Sequence, residues 1–84
     1  MHVIADLTVI PLGVGLSLSP YVAQVERILD EAGLTHRLHP NGTSVEGEWD
    51  AVMAAVRRCH EVLHAQGVPR VHTDLKLGTR TDKE

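Results

Sequence analysis

The chain has 84 residues, 43% hydrophobic and 23% charged, a balance that suits one small folded domain spanning residues 1–84 and is too apolar for disorder. A domain this short buries only about 60–65% of the surface its unfolded chain exposes, so its core leaves a thin margin that self-association would widen. A net charge of −3 with the histidines neutral, no Lys/Arg stripe, and Tyr21 and Trp49 as the aromatics point away from nucleic acid, while no apolar run reaches the roughly 18–20 residues of a membrane span.

The first expected element is a strand from His2 to Ile10, with Val3, Ala5, Leu7 and Val9 on one face and His2, Ile4, Asp6, Thr8 and Ile10 on the other, ended by Pro11. After the loop PLGVGLSLSP, Ser19 is read as an N-cap and Pro20 as a first-turn proline. Val22, Val25, Ile28, Leu29 and Ala32 then recur at helical spacing, and Gly33 stands where a left-handed residue closes a helix. LTHRLHP (34–40) is a second short strand stopped by Pro40, and the Asn41-Gly42 turn signal lets TSVEGE return as a third. Trp49, Val52, Met53, Val56, Cys59 and Leu63 mark a second helix, beginning at about Glu48 and closed by Gly67. RVHTDLKL is a last alternating strand, followed by a polar tail, residues 78–84, expected to be loose.

The order strand, helix, strand, strand, helix, strand implies an α+β domain in a split βαβ arrangement, with two helices on one face of a four-stranded sheet. The other face stays open and carries Ile4 and Ile10. Pairing of identical sheets would bury them, at about 25 cal/mol per Å² of apolar area removed from water, so a homo-oligomer is expected. The one cysteine, Cys59, cannot close an internal bridge, and no secretory leader opens the sequence; a reducing, cytoplasmic location is expected.

HEVLHAQGVPR (60–70) spells the zinc-protease pattern H-E-x-x-H, in which His60 and His64 would share a helix face and Glu61 would serve as base. With six histidines in 84 residues the pattern arises cheaply, and the place of a third ligand is held by Arg70, which has no lone pair to give. Helix-end histidines are the preferred reading, with no metal, and the zinc hydrolase is kept only as a minor alternative. His36 and His39, three apart on a strand, point to opposite faces. GVGLS (13–17) lacks the third glycine and the lysine of a nucleotide cradle. It does place Ser17 and Ser19 at a helix start, with Ser19 read first as a plain cap. Thr43 and Glu46 fit a capping box, yet the later helix start leaves both on the preceding strand. There Glu46, near a partly buried Trp49, is a candidate for holding a cationic or amine-bearing ring, or equally for pairing with Arg57 or Arg70. Cys59 falls inside the apolar stripe, where a thiol is usually inert, and no nucleophile, base or carboxylate pair stands out; an enzyme is not expected.

Taken together, VIPLGVG-LSLSPYVAQ (9–24), NGTSVEGEWDAV (41–52), CHE (59–61) and GVPRVHTDLKLGTRTDK (67–83) resemble the small thiamine-binding protein family, a formerly uncharacterised group. The resemblance spans nearly the whole chain through an ordered set: P-L-G, S-x-S, G-T-x-x-E-G and R-V-x-T-x-x-K. It implies a ferredoxin-like βαββαβ sandwich, assembled as dimers and commonly tetramers, that binds thiamine or its hydroxymethylpyrimidine moiety without transforming it and without a further cofactor. Ser17 and Ser19 match the S-x-S and Thr43 and Glu46 the T-x-x-E, so these, with Trp49, are the implied ligand-binding residues. The side chains of Ser17, Ser19, Thr43 and Glu46 are expected to converge on one shared hollow, within a subunit or across a subunit contact. Asn41 stands where the pattern expects an apolar residue, often methionine, and Gly78-Thr79 replace an acidic pair. The competing function is a protein-interaction or regulatory module that uses the open face without a small-molecule ligand.

Overall fold

A computed structural model describes residues 1–15 and 18–82. Its elements are β1 (His2–Leu12), α1 (Ser19–Glu31), β2 (Thr35–His39), β3 (Gly42–Glu48), α2 (Trp49–Ala65) and β4 (Arg70–Gly78). The four strands form one antiparallel sheet in the order β2-β3-β1-β4, which is the ferredoxin-like arrangement expected from the sequence. No described helix is long and apolar enough to cross a membrane.

Alternation sorts the strands into two faces. Val3, Ala5 and Leu7 of β1 and Val45 of β3 are buried beneath the helices, whereas His2, Ile4, Asp6, Ser44 and Glu46 are exposed on the far side. The core closes with Val25, Ile28 and Leu29 of α1 and Val52, Ala55, Cys59 and Leu63 of α2. Each large aliphatic side chain taken fully out of water contributes about 1.5–3 kcal/mol, and Leu29 and Leu63 are among the most deeply buried.

Both helices stop by the same device. After α1 the Gly33 N–H donates to the Asp30 carbonyl and the Leu34 N–H to that of Leu29; after α2 Gly67 donates to His64 and Val68 to Leu63. Gly33 and Gly67 supply the left-handed φ of 72° and 95°, and the buried Leu34 and Val68 pack back onto the helix ends.

Three local expectations need correction. β1 does not end at Pro11 but runs to Leu12, with Pro11 opposite Val71. Beyond Leu7 it has lost its β3 neighbour, and a strand paired on one side only tolerates proline. The N-cap of α1 is Leu18, which makes no side-chain cap, and Ser19 is the first helical residue with its side chain exposed. The β2–β3 turn falls on Pro40-Asn41, one residue early, with Gly42 already in β3 at φ 151°. A Cβ on Gly42 would lie 2.6 Å from Thr8 Oγ1 and 2.7 Å from the Leu7 carbonyl oxygen, so glycine is required by close approach as well as by backbone angle.

Candidate functional site

On the open face the sheet cradles a hollow of about 1020 Å³, at the upper end of the range of roughly 300–1,000 Å³ common for small-molecule sites. His2, Ile4 and Asp6 of β1, Ser44 and Glu46 of β3, and Lys76 of β4 line it, and the chain from Gly78 to Arg80 forms the remaining wall. The register explains the gathering: Ile4 faces Glu46, while Asp6 lies between Ser44 on one side and Lys76 on the other. His2 Nε2 is 3.1 Å from Glu46 Oε2 and His39 Nε2 is 3.1 Å from Asp6 Oδ1, to which the Ser44 hydroxyl also donates at 3.5 Å. Ile4, 58% exposed, supplies an apolar patch between these carboxylates. Such a site can hold a flat, partly cationic ring against Ile4 with carboxylates at its edge.

Thr43 lies on the opposite face. It is 3% exposed, and its hydroxyl donates to Glu26 Oε2 of α1 at 2.8 Å. Glu26 Oε1 also takes His36 Nδ1 at 3.3 Å, and His36 Nε2 meets Asp30 Oδ1 at 2.6 Å. The Asp30 hydrogen bond holds the His36 imidazole above its ordinary pKa; burial pulls the other way, and Glu26 adds to the rise. This polar cluster ties α1 to β2 and β3.

Thr43 and Glu46 therefore do not converge within one chain. Thr43 and Glu46 are three apart on β3, an odd separation that sends them to opposite faces, as it does His36 and His39. Ser17 lies outside the described residues, Ser19 is exposed on the first turn of α1, and Trp49 begins α2, where its N–H donates to the Met1 carbonyl at 2.8 Å. Among the described implied residues, only Glu46 lines the hollow, and its partner is His2 rather than Arg57, which pairs with Glu61.

Sequence reasoning missed His2, Asp6, Ser44, Lys76 and Arg80 as site residues. They come from both ends and the middle of the chain; strand register gathers His2, Asp6, Ser44 and Lys76, and Arg80 follows β4. Alternation on β1, β3 and β4 was the available signal, because it places the even-numbered polar residues of all three strands on the face opposite the core.

The histidines of the zinc-like pattern have structural partners. His60 Nε2 is 2.6 Å from Thr73 Oγ1, joining α2 to β4, and the His64 Nδ1–H donates to the Val68 carbonyl at 2.9 Å, beside the turn that ends α2. Among the described residues no group of three His, Cys, Asp or Glu side chains could hold a metal ion. Cys59 is fully buried, and burial pushes its thiol up to about 11, far from a reactive thiolate at neutral pH.

Comparison with known proteins gives consistent matches. A family model described as thiamine-binding protein matches residues 5–84. A UPF0045 protein of Synechocystis sp. is 54% identical over 83 residues, covering 99% of this chain and 69% of that relative. A UPF0045 protein of Eremothecium gossypii is 41% identical over 85 residues, covering 100% and 81%. Among solved structures, a hypothetical protein of Methanocaldococcus jannaschii superposes with a TM-score of 0.90 at 34% identity, covering 99% of this chain and 84% of that one. A Thermotoga maritima protein, named a candidate for thiamine biosynthesis or salvage, gives 0.82 at 21% identity, covering 95% and 85%; at that identity the likeness speaks for the fold alone.

Proposed function

We propose, starting from the fact that this chain belongs to the thiamine-binding protein family, that it binds thiamine or its hydroxymethylpyrimidine moiety without transforming either, and that the ligand sits in the open-face hollow. The observation that carries the reading is the family match over residues 5–84. The chemistry of the hollow supports its location: an aminopyrimidine edge needs both acceptors and donors, which Glu46 and Ser44 supply, and a thiazolium cation is stabilised by carboxylates such as Asp6. Ile4 offers the rings an apolar surface.

Isothermal titration with thiamine and with hydroxymethylpyrimidine tests this reading. Saturable heat is expected for both, weakened about tenfold or more by Glu46→Ala, the usual scale for losing a charge-assisted hydrogen bond. Loss of binding on Thr43→Val but not on Glu46→Ala would place the ligand under α1 instead, and flat traces with both compounds would remove the function.

Self-association belongs to the same proposal. Ile4 and Leu12 are 58% and 43% exposed on the open face, and a second copy covering part of it would bury them. A partner subunit is also the route by which residues such as Ser19 or Trp49 could contribute to the hollow. Light scattering is expected to report a dimer or tetramer; a monomer at micromolar concentration contradicts it. A monomer that ignored both compounds would instead favour the protein-interaction reading.

A further inference from the structure

The hollow is charged unevenly, and the unevenness lies across the strands. Its carboxylates belong to β1 and β3, and both are drawn away from β4: Glu46 is engaged by His2, and Asp6 by His39 of β2 and Ser44 of β3. On the β4 side stands Lys76, directly opposite Asp6 in register, yet no carboxylate lies within 4 Å of its ammonium among the described residues. Gly78 and Thr79, next along that wall, carry no charge to offset it. Arg80 completes the wall, its guanidinium fixed by Asp82 through Nε at 2.8 Å and one Nη at 3.0 Å, with the other Nη uncommitted in that pair. Asp82 cancels much of the Arg80 charge, which leaves Lys76 as the principal cation.

Neighbouring strands lie about 4.8 Å apart, so Glu46 on β3 stands at least roughly 10 Å from Lys76 on β4, with Asp6 of β1 about half-way across. A ligand that is cationic at its ring end and anionic at the tip of a short arm matches that spacing and polarity; a simple cation satisfies one wall and leaves the other unused. Building on the proposed function, we infer that the hollow selects the phosphate ester of its ligand, thiamine monophosphate over thiamine, with the ring system toward Glu46 and Asp6 and the phosphate on Lys76. A phosphate monoester is close to doubly ionised at neutral pH and offers several strong acceptor oxygens, a form that a compact ammonium with three donors binds well. The Thr79 hydroxyl and the uncommitted Nη of Arg80 stand on the same wall.

Titration of the whole chain with thiamine, thiamine monophosphate and inorganic phosphate, at one fixed ionic strength, tests the inference. The monophosphate is expected to bind about tenfold more tightly than thiamine, the scale of one charge-assisted contact. Lys76→Gln brings that ratio close to one, Lys76→Arg restores most of it, and Arg80→Gln lowers it less because Asp82 already neutralises that side chain. Thermal melts establish that each exposed substitution leaves the fold intact. Equal or tighter binding of thiamine by the native chain overturns the inference while leaving the proposed function standing, as does a ratio untouched by Lys76→Gln. Silence toward both thiamine compounds removes the proposed function and the inference together.

Discussion

The two faces of the sheet are made by the same strands and behave as different materials. Beneath the helices, Val3, Ala5, Leu7 and Val45 are each no more than 5% exposed and touch mostly aliphatic neighbours, with the Thr43–Glu26 hydrogen bond as a satisfied polar exception. One residue along each strand, Ile4, Asp6, Ser44 and Glu46 stand in the open, where charges are paired loosely and a hollow remains. One face is specified by packing, and the other is free of that constraint. A sheet with one covered face therefore separates core positions from free ones at a spacing of a single residue.

Matched truncations on the two faces should differ most. Leu29→Ala, beneath α1, is expected to cost about 3 kcal/mol, a large fraction of what an 84-residue domain possesses, read from the urea midpoint. Ile4→Ala on the open face is expected to change monomer stability by less than about 0.5 kcal/mol, because the side chain is already largely wet. A cost for Ile4→Ala that grows with protein concentration would identify the open face as a subunit contact.

A smaller effect concerns pH on the helix side. The Asp30 and Glu26 contacts raise the folded-state pKa of His36 above 6.5, so the stabilisation they supply is complete below pH 6.5 and is lost as pH rises through the higher folded value. Denaturation midpoints followed between about pH 5 and 8 are expected to fall over that window, and His36→Gln to flatten the fall. Asp30 is 73% exposed, so added salt should reduce the slope as well. An unchanged slope in His36→Gln would assign the pH dependence to other groups.

Much of this architecture was legible in the sequence because its signals are local. Alternation marked β1 and β4, the apolar stripes marked both helices, and Gly33 and Gly67 marked their ends. Pro11 misled because its effect depends on whether a neighbouring strand is present, which is a matter of the sheet and not of the residue. The turn moved to Pro40-Asn41 because Gly42 is needed against Thr8 and Leu7, a contact with a strand thirty residues away. The lining of the hollow is the least legible part. Thr43 and Glu46 were grouped by a shared motif, although a separation of three on a strand already divides them between faces. His2 and Asp6 belong to no motif, Lys76 closes the R-V-x-T-x-x-K run without a role attached to it, and only the pairing of β1 with β3 and β4 brings them to Glu46.

The central claim is that the small-molecule site lies on the open face, and amide chemical-shift mapping during a thiamine titration tests it most directly. Shifts are expected at residues 2–6, 44–46 and 76–80, with α1 and Thr43 quiet. Shifts centred on residues 18–26 and Thr43, with the open face silent, would contradict it.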